Sequence, residues 1–286
     1  MKDYSKVYVT KANGERELFD IKKLKSSLRR SGAPAELCDY IAEHVVDELH
    51  DGMTTTEVYR HAFKLLRKEE KKVEAARYSV RRAVMELGPS GFPFEDYVAE
   101  VFKGQGYEAV TQQHLEGACA RHEVDMVAHR DDKYLGAEIK YHNSLGIKTD
   151  LKVALYVQAR FDDLRAGGER RSEFPDLNEG WLITNTKFTH NAISYAKCVG
   201  LNLLGWNYPR HDNLQTIIDE TGVYPITVLS SLSRKEKEYL LAKKKVLCQD
   251  LANDAETLKH AGVKHSKIGT VIEESQALCS SGHRIE

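Results

Sequence analysis

The sequence predicts a multidomain chain of mixed α+β and α/β class. An N-terminal β-hairpin with helices comes first, then a central mixed sheet flanked by helices, then a small C-terminal helical region. Three observations predict this. Asn13-Gly14 lies between two alternating runs, the strongest short-range hairpin signal, and helical spacing follows it. After "GPSGFP" at 88–93, strand and helix patterns alternate as α-β-β-β-α-β-α-β, which a sheet covered on both faces requires. From about Ile226 onward only short helices remain.

Taken in order, "KVYVTKANGERELFD" gives the hairpin. Ile21, Leu24 and Leu28 recur at helical spacing until Gly32 stops the helix. Leu37, Ile41, Val45 and Leu49 predict a second helix over 35–50, and the Thr cluster of "DGMTTTEVYRHAF" supplies caps for a third. A fourth runs through "KVEAARYSVRRAVMEL" and ends at Gly88-Pro89. Beyond the break, a helix over 94–104 precedes strands near 107–113, 122–129 and 134–141, with Gly136 a candidate bulge. A helix near 150–166, the strand "GWLITN", a helix near 189–199 and the strand "LNLLGW" complete the sheet region. The expected divisions are 1–88, 89–225 and 226–286.

Composition narrows the function classes. No apolar run among the 286 residues approaches the roughly 20 needed to span a bilayer, and the first residues lack a signal-peptide core. Cys38, Cys119, Cys198, Cys248 and Cys279 stand far apart without a CxxC pair. Free thiols in a reducing cytoplasm are therefore expected, with neither a zinc site nor a disulfide framework. The net charge of -1 gives no global attraction to nucleic acid, so any such binding rests on local patches.

The unusual stretch is "HEVDMVAHRDDKYLGAEIKYHN", where Asp125, Glu138 and Lys140 interrupt strands that should be apolar. Alternation places Glu138 and Lys140 on one face, with Ala137, Ile139 and Tyr141 on the other. It likewise sets Asp125 opposite Val124, Met126 and Ala128. If the strands pair, two carboxylates and an ammonium converge at one sheet edge. Close carboxylates repel unless a cation lies between them, and hard oxygen ligands left partly open favour Mg²⁺ (or Mn²⁺). A lysine beside the ion can orient or activate the water that attacks a phosphodiester. The same residues also read as an ordinary cross-strand salt bridge. His142 shares the face of Lys140 and fits a surface position.

Residues 91–206 resemble the PD-(D/E)xK restriction-endonuclease superfamily, nearest its Mrr-like branch. The resemblance rests on "GFPFEDYVAEVFKGQGYEA", "EVDMVAHRDDKYLGAEIKYH", "LYVQARFDDL" and "GWLITNTKFTHNAISYAKCVGLNLLGW". It implies a restriction-endonuclease-like fold in which Asp125 and Glu138 hold the metal. Lys140 would activate or position water, Glu95 on the first helix would support the site, and Gln158 on the later helix would complete it. Val124 stands where the proline of the family's name would be.

The N-terminal segment, about 5–87, resembles the ATP-cone, the nucleotide-sensing domain of ribonucleotide reductases and their regulators. Its marks are "VTKANGERELFDIKKL", "DGMTTTEVYRHAF" and "ARYSVRRAV". Lysines on a hairpin and helix, with a Thr-rich helix start, suit a triphosphate physically. The resemblance implies ATP or dATP binding by Val9, Lys11, Glu17, Phe19, Asp20, Lys23 and Thr55. The sequence departs from the pattern at Ala12 and Met85. Regulators carrying this domain often begin with a zinc ribbon, and no such cysteines precede the cone here. Nucleotide-dependent assembly into a homo-oligomer is a further expectation, since such cones commonly control oligomeric state.

The last segment looks like a degenerate helix-hairpin-helix region, with Lys243, Lys244 and Lys245 as a basic patch for DNA phosphates. Together these resemblances imply a cytoplasmic, Mg²⁺-dependent nuclease, cutting DNA under ATP or dATP control in defence against foreign DNA. A non-catalytic nucleotide-responsive DNA-binding regulator and an RNA nuclease are the alternatives.

Overall fold

The structure, a computed structural model, describes residues 4–69, 71–168 and 177–279. It begins with an antiparallel hairpin of β1 (Tyr8–Thr10) and β2 (Arg16–Leu18), followed by α1 (Ile21–Arg30), α2 (Ala35–Glu48), α3 (Thr55–Lys68) and α4 (Lys72–Met85). Caps set the starts: Asp20 accepts from Lys22 N ahead of α1, and Thr54 and Glu57 form a reciprocal capping box ahead of α3. Leu24, Leu28, Ile41, Val45 and Leu66 fill the core of this layer.

The sheet region contains α5 (Phe92–Gly104), β3 (Glu108–Glu116), β4 (Arg121–Arg130), β5 (Lys133–Lys140), β6 (Lys148–Thr149), α6 (Leu151–Ala166), β7 (Glu179–Thr184), β8 (Lys187–Phe188), α7 (His190–Val199) and β9 (Asn202–Leu204). Its main sheet has the order β3-β4-β5-β7-β9, antiparallel through β5 and parallel thereafter. β6 and β8 form a separate two-stranded parallel sheet. Then come α8 (Leu214–Thr221), α9 (Arg234–Ala242), α10 (Ala255–His260) and α11 (His265–Cys279). The described residues thus form eleven α-helices, a five-stranded mixed sheet and an N-terminal hairpin, a multidomain α+β arrangement.

Each face of the sheet has its own covering. Phe94, Tyr97, Val98 and Phe102 of α5 pack on Met126, Ala128, Leu135, Ala137 and Ile139. Val157, Phe161 and Leu164 of α6 pack with α7 on Val124, Val127, Leu182 and Leu203. The α5-side core continues through α9 to α11 and takes in Ala76, Val80, Ala83, Val84 and Leu87 around α4. Ala75 of the same helix belongs to the N-terminal core. Helix α4 is therefore shared between two cores. Thr227 Oγ1 donates to Ala83 O at 2.7 Å across this junction.

Two local expectations are corrected. Gly136 makes no bulge: it pairs in unbroken register with Val127 on one side and Gly180 on the other. It is glycine because a Cβ there would come within 2.7 Å of Phe161, and a Cβ at Gly180 would meet the same ring at 2.7 Å. Alternation also breaks in β4, since Met126 and Ala128 join the α5-side core while Val124 joins the α6 side. The partner strand rolls with it: Ala109 and Leu115 lie in opposite cores, with Gln112 at φ 56° between them. Beyond α9, Lys243 and Lys244 form a turn, with Lys244 at φ 57°. Lys244 Nζ lies 3.9 Å from Asp96 and Lys245 Nζ 3.5 Å from Asp254, so acids offset part of the expected basic patch.

Candidate functional site

Asp125, Glu138 and Lys140 come together where β4 parts from β5. The last registered pair is Met126 with Ala137; beyond it the carboxylate of Asp125 replaces the strand partner, Oδ2 accepting from Ile139 N at 2.6 Å. β4 and β5 are interior strands, so the convergence is where the end of β5 lies beside the middle of β4, and not at a sheet edge, as alternation alone suggested. In open α/β sheets, the region beyond the carboxyl ends of parallel strands is where ligands bind.

Glu138 faces the α6 side and is only 3% exposed. Its Oε1 accepts from Lys140 Nζ and from the Tyr156 hydroxyl, and its Oε2 accepts from Arg160 Nη1. Arg160 also donates to Glu123 O at 3.0 Å and to the Tyr156 hydroxyl at 3.2 Å. Tyr156 and Arg160 stand one turn apart on α6 and form a cover over the glutamate. The sequence reasoning missed both. Their i, i+4 spacing, straddling Gln158, is the signal that could have found them.

Glu95 approaches from the start of α5. Its carboxyl is pushed up to about 7, first by burial and then by the charges of Asp125, Asp96, Glu123 and Glu138. Asp125 is pushed up to about 6 by burial and by Glu138, against the relief given by the Ile139 N–H, Lys140 and Arg160. Burial pulls the Lys140 ammonium down, yet its hydrogen bond and attraction to Glu138 outweigh this and leave it raised. Lys140 is thus a charged donor, suited to positioning. Gln158 lies elsewhere in the hydrogen-bond pattern: it donates to Asp162 at 2.8 Å, and its buried Oε1 has no hydrogen-bond partner. His142 is half-buried, 2.9 Å from Thr149 Oγ1, with burial and Lys140 lowering its pKa.

The donors suit a hard divalent ion. Asp125 and Glu138 offer carboxylate oxygens, and a cation would relieve the mutual repulsion that raises Asp125 and Glu95. No group of three or more His, Cys, Asp or Glu side chains among the described residues is arranged to hold a metal ion. Mg²⁺ requires fewer, because it is commonly bound through one or two carboxylates and waters.

In the N-terminal layer, Lys11 and Lys23 both pair with Glu17 at 2.8 Å, holding its carboxyl at about 2. Val9 and Phe19 are core residues, and Asp20 is spent on the α1 cap. Thr55 opens α3 and lines a cavity of about 440 Å³ between this layer and the sheet region.

Residues 7–86 match the ATP cone domain, and residues 224–279 match the family described as AF1548-like, C-terminal. An uncharacterized protein of Archaeoglobus fulgidus (strain ATCC 49558 / DSM 4304 / JCM 9628 / NBRC 100126 / VC-16) is 33% identical over 180 residues, 63% of this chain and 98% of that protein. The chain belongs to the AF1548-like family. Its fold agrees with the crystal structure of the protein of unknown function AF1548, at TM-score 0.55 and 32% identity over 66% of this chain and 98% of that one. This AF1548-like chain therefore carries an ATP cone, a regulatory domain for a nucleoside triphosphate, at its N-terminus. None of its described helices is long and apolar enough to cross a membrane.

Proposed function

We propose that this chain is a metal-dependent nuclease of the PD-(D/E)xK type, hydrolysing DNA under the control of ATP or dATP bound at the cone. The observation that carries this reading is the meeting of Asp125, Glu138 and Lys140 where β4 parts from β5, with Asp125 close enough to Glu95 to raise its proton affinity. Asp125 and Glu138 would hold Mg²⁺ or Mn²⁺, which when bound supplies Lewis acidity and a more acidic water. Lys140, kept protonated by Glu138, would orient an anionic phosphate oxygen or the attacking water. Glu95, with its carboxyl near neutrality, is suited to taking or giving a proton at the rim of the site.

A second reading has one observation in its favour. Glu138 is fully engaged by Lys140, Tyr156 and Arg160, as it would be in a fold kept as a scaffold for a non-catalytic DNA-binding regulator. Cleavage assays on plasmid, single-stranded DNA and RNA, with and without Mg²⁺, separate the readings. Metal-dependent cutting of DNA that Glu138→Gln abolishes supports the nuclease. Cutting confined to RNA reassigns the substrate. Binding without cutting of any substrate favours the regulator. The cytoplasmic location, the defence role, DNA contacts from the C-terminal helices and nucleotide-driven oligomerisation belong to the same reading and rest on family analogy.

A further inference from the structure

Glu138 carries more counter-charge than one carboxylate needs. Lys140 Nζ and the Tyr156 hydroxyl share its Oε1, Arg160 Nη1 takes its Oε2, and the carboxyl is buried. Lys140 stands on the same strand as Glu138, whereas Arg160 reaches across from α6. Its remaining contacts are single hydrogen bonds, to Glu123 O at 3.0 Å and to the Tyr156 hydroxyl at 3.2 Å, and its side chain is 20% exposed. The guanidinium carbon lies 5.0 Å from the Tyr156 ring centroid, so the head can turn away from the carboxylate while keeping its cation–π contact. Lys152 is exposed one turn before Tyr156, so α6 presents Lys152, Tyr156 and Arg160 along one stripe.

These contacts set up a competition. A divalent ion held by Asp125 and Glu138 would share Glu138 with an ammonium and a guanidinium, and like charges at that range repel. Nor can Arg160 simply be stripped of its partner, because a partly buried cation without a counter-charge is costly. A phosphodiester removes both costs. Its anionic oxygens match the guanidinium fork as a carboxylate does, so Arg160 can exchange one oxyanion for another and release Glu138 Oε2.

We propose that Arg160 is a counter-ion exchanged by substrate: it holds Glu138 in the free chain and passes to a backbone phosphate of DNA, so that DNA and the divalent ion bind cooperatively. The proposal rests on the nuclease reading above and adds to it a phosphate-positioning residue. It also gives the full engagement of Glu138 a use in the reaction, since completion of the metal site then depends on substrate.

Anisotropy of a fluorophore-labelled DNA duplex titrated with the full chain tests it. Titrations run at constant ionic strength with and without Ca²⁺, a hard, oxygen-seeking probe for the metal site. The native chain is compared with Arg160→Met and with Arg165→Met, which removes an equal charge from the last turn of the same helix, where Arg165 pairs with Asp162 at 3.3 Å. Circular dichroism melts establish that each variant folds. Ca²⁺ is expected to tighten duplex binding by the native chain and by Arg165→Met about tenfold or more, and by Arg160→Met several-fold less. Without Ca²⁺, Arg160→Met should bind the duplex with nearly native affinity, because Arg160 is then engaged by Glu138. Where Arg160→Met melts too low to titrate, Arg160→Lys keeps the charge and loses the fork, and its Ca²⁺ effect is expected to fall below the native one. An equal loss of duplex affinity with and without Ca²⁺ makes Arg160 a fixed phosphate contact and overturns the exchange. A Ca²⁺ effect undiminished in the Arg160 variants overturns it too, and either result leaves the nuclease reading standing. A native chain that takes up neither Ca²⁺ nor Mg²⁺ in calorimetry, alone or with the duplex, overturns both.

Discussion

Tyr141 donates its phenolic hydrogen to the carbonyl oxygen of Met85 at 2.6 Å, tying the residue after Lys140 to the last turn of α4. Asn185 reinforces the junction, with its Nδ2 3.1 Å from the Met85 sulfur and 2.9 Å from His142 O. The helix that carries Arg77, Arg81 and Arg82 is thereby fastened beside the acidic cluster.

Tyr141→Phe removes that hydrogen bond and leaves the ring. The expected cost is about 1 kcal/mol in urea unfolding. If the chain cuts DNA, the larger effect is expected in the response to ATP: basal cleavage persists while the nucleotide-dependent change shrinks. Cleavage rates with and without ATP measure this.

The acidic cluster predicts a specific pH dependence. Glu95 and Asp125 have folded-state pKa values raised to about 7 and about 6, so their neutral forms are favoured on folding. Their contribution to stability is therefore present below their ordinary range and is lost as pH rises through those values. Glu95→Gln should remove part of this loss, gaining on the order of 1 to 2 kcal/mol at about pH 8 after allowance for partial exposure, and little at about pH 4. Urea unfolding at the two pH values gives the comparison. Mg²⁺ should act in the same direction, with affinity rising across the same interval as protons leave.

Arg160→Met tests the cover over Glu138. The guanidinium occupies a carboxylate oxygen that a divalent ion would use, so its loss should favour the ion. Mg²⁺ is expected to raise the melting temperature of the variant more than that of the native chain, with half-saturation at a several-fold lower concentration. Equal stabilisation of both proteins would show that Arg160 and the ion do not compete.

Gly136→Ala and Gly180→Ala each force a Cβ against Phe161. Overpacking of this kind costs roughly 1–3 kcal/mol. Phe161→Leu combined with either substitution should recover part of the loss, because the two sites share one contact. Thermal melts of the single and double variants decide it.

Much of this was legible in the sequence, for identifiable reasons. Asn13-Gly14, the helical stripes of α1 and α2, and the apolar strands around Glu138 follow from periodicities of two and 3.6, which depend on local geometry alone. The approach of Asp125 to Glu138 and Lys140 follows from pairing β4 with β5. The roll of β3 and β4 near Asp125 was not legible, because Gln112 adopts positive φ without the glycine that would announce it. Nor did periodicity reveal which side chains of α6 overhang the site. Tyr156 and Arg160 meet Glu138 from positions that flank Gln158, the residue singled out from the sequence. The cavity beside Thr55 joins Arg30 to Lys187 across more than half the chain, a proximity only tertiary structure creates.

The sharing of α4 between two cores has a consequence for how this architecture can be taken apart. A fragment ending near Gly88 would carry the nucleotide-sensing layer, yet Val80, Ala83, Val84 and Leu87 would face water where the sheet region now covers them. Such a fragment should be sticky and poorly soluble, and its counterpart beginning near Gly88 would lose a wall. The ATP cone here is grafted into the sheet region beside it, not tethered to it.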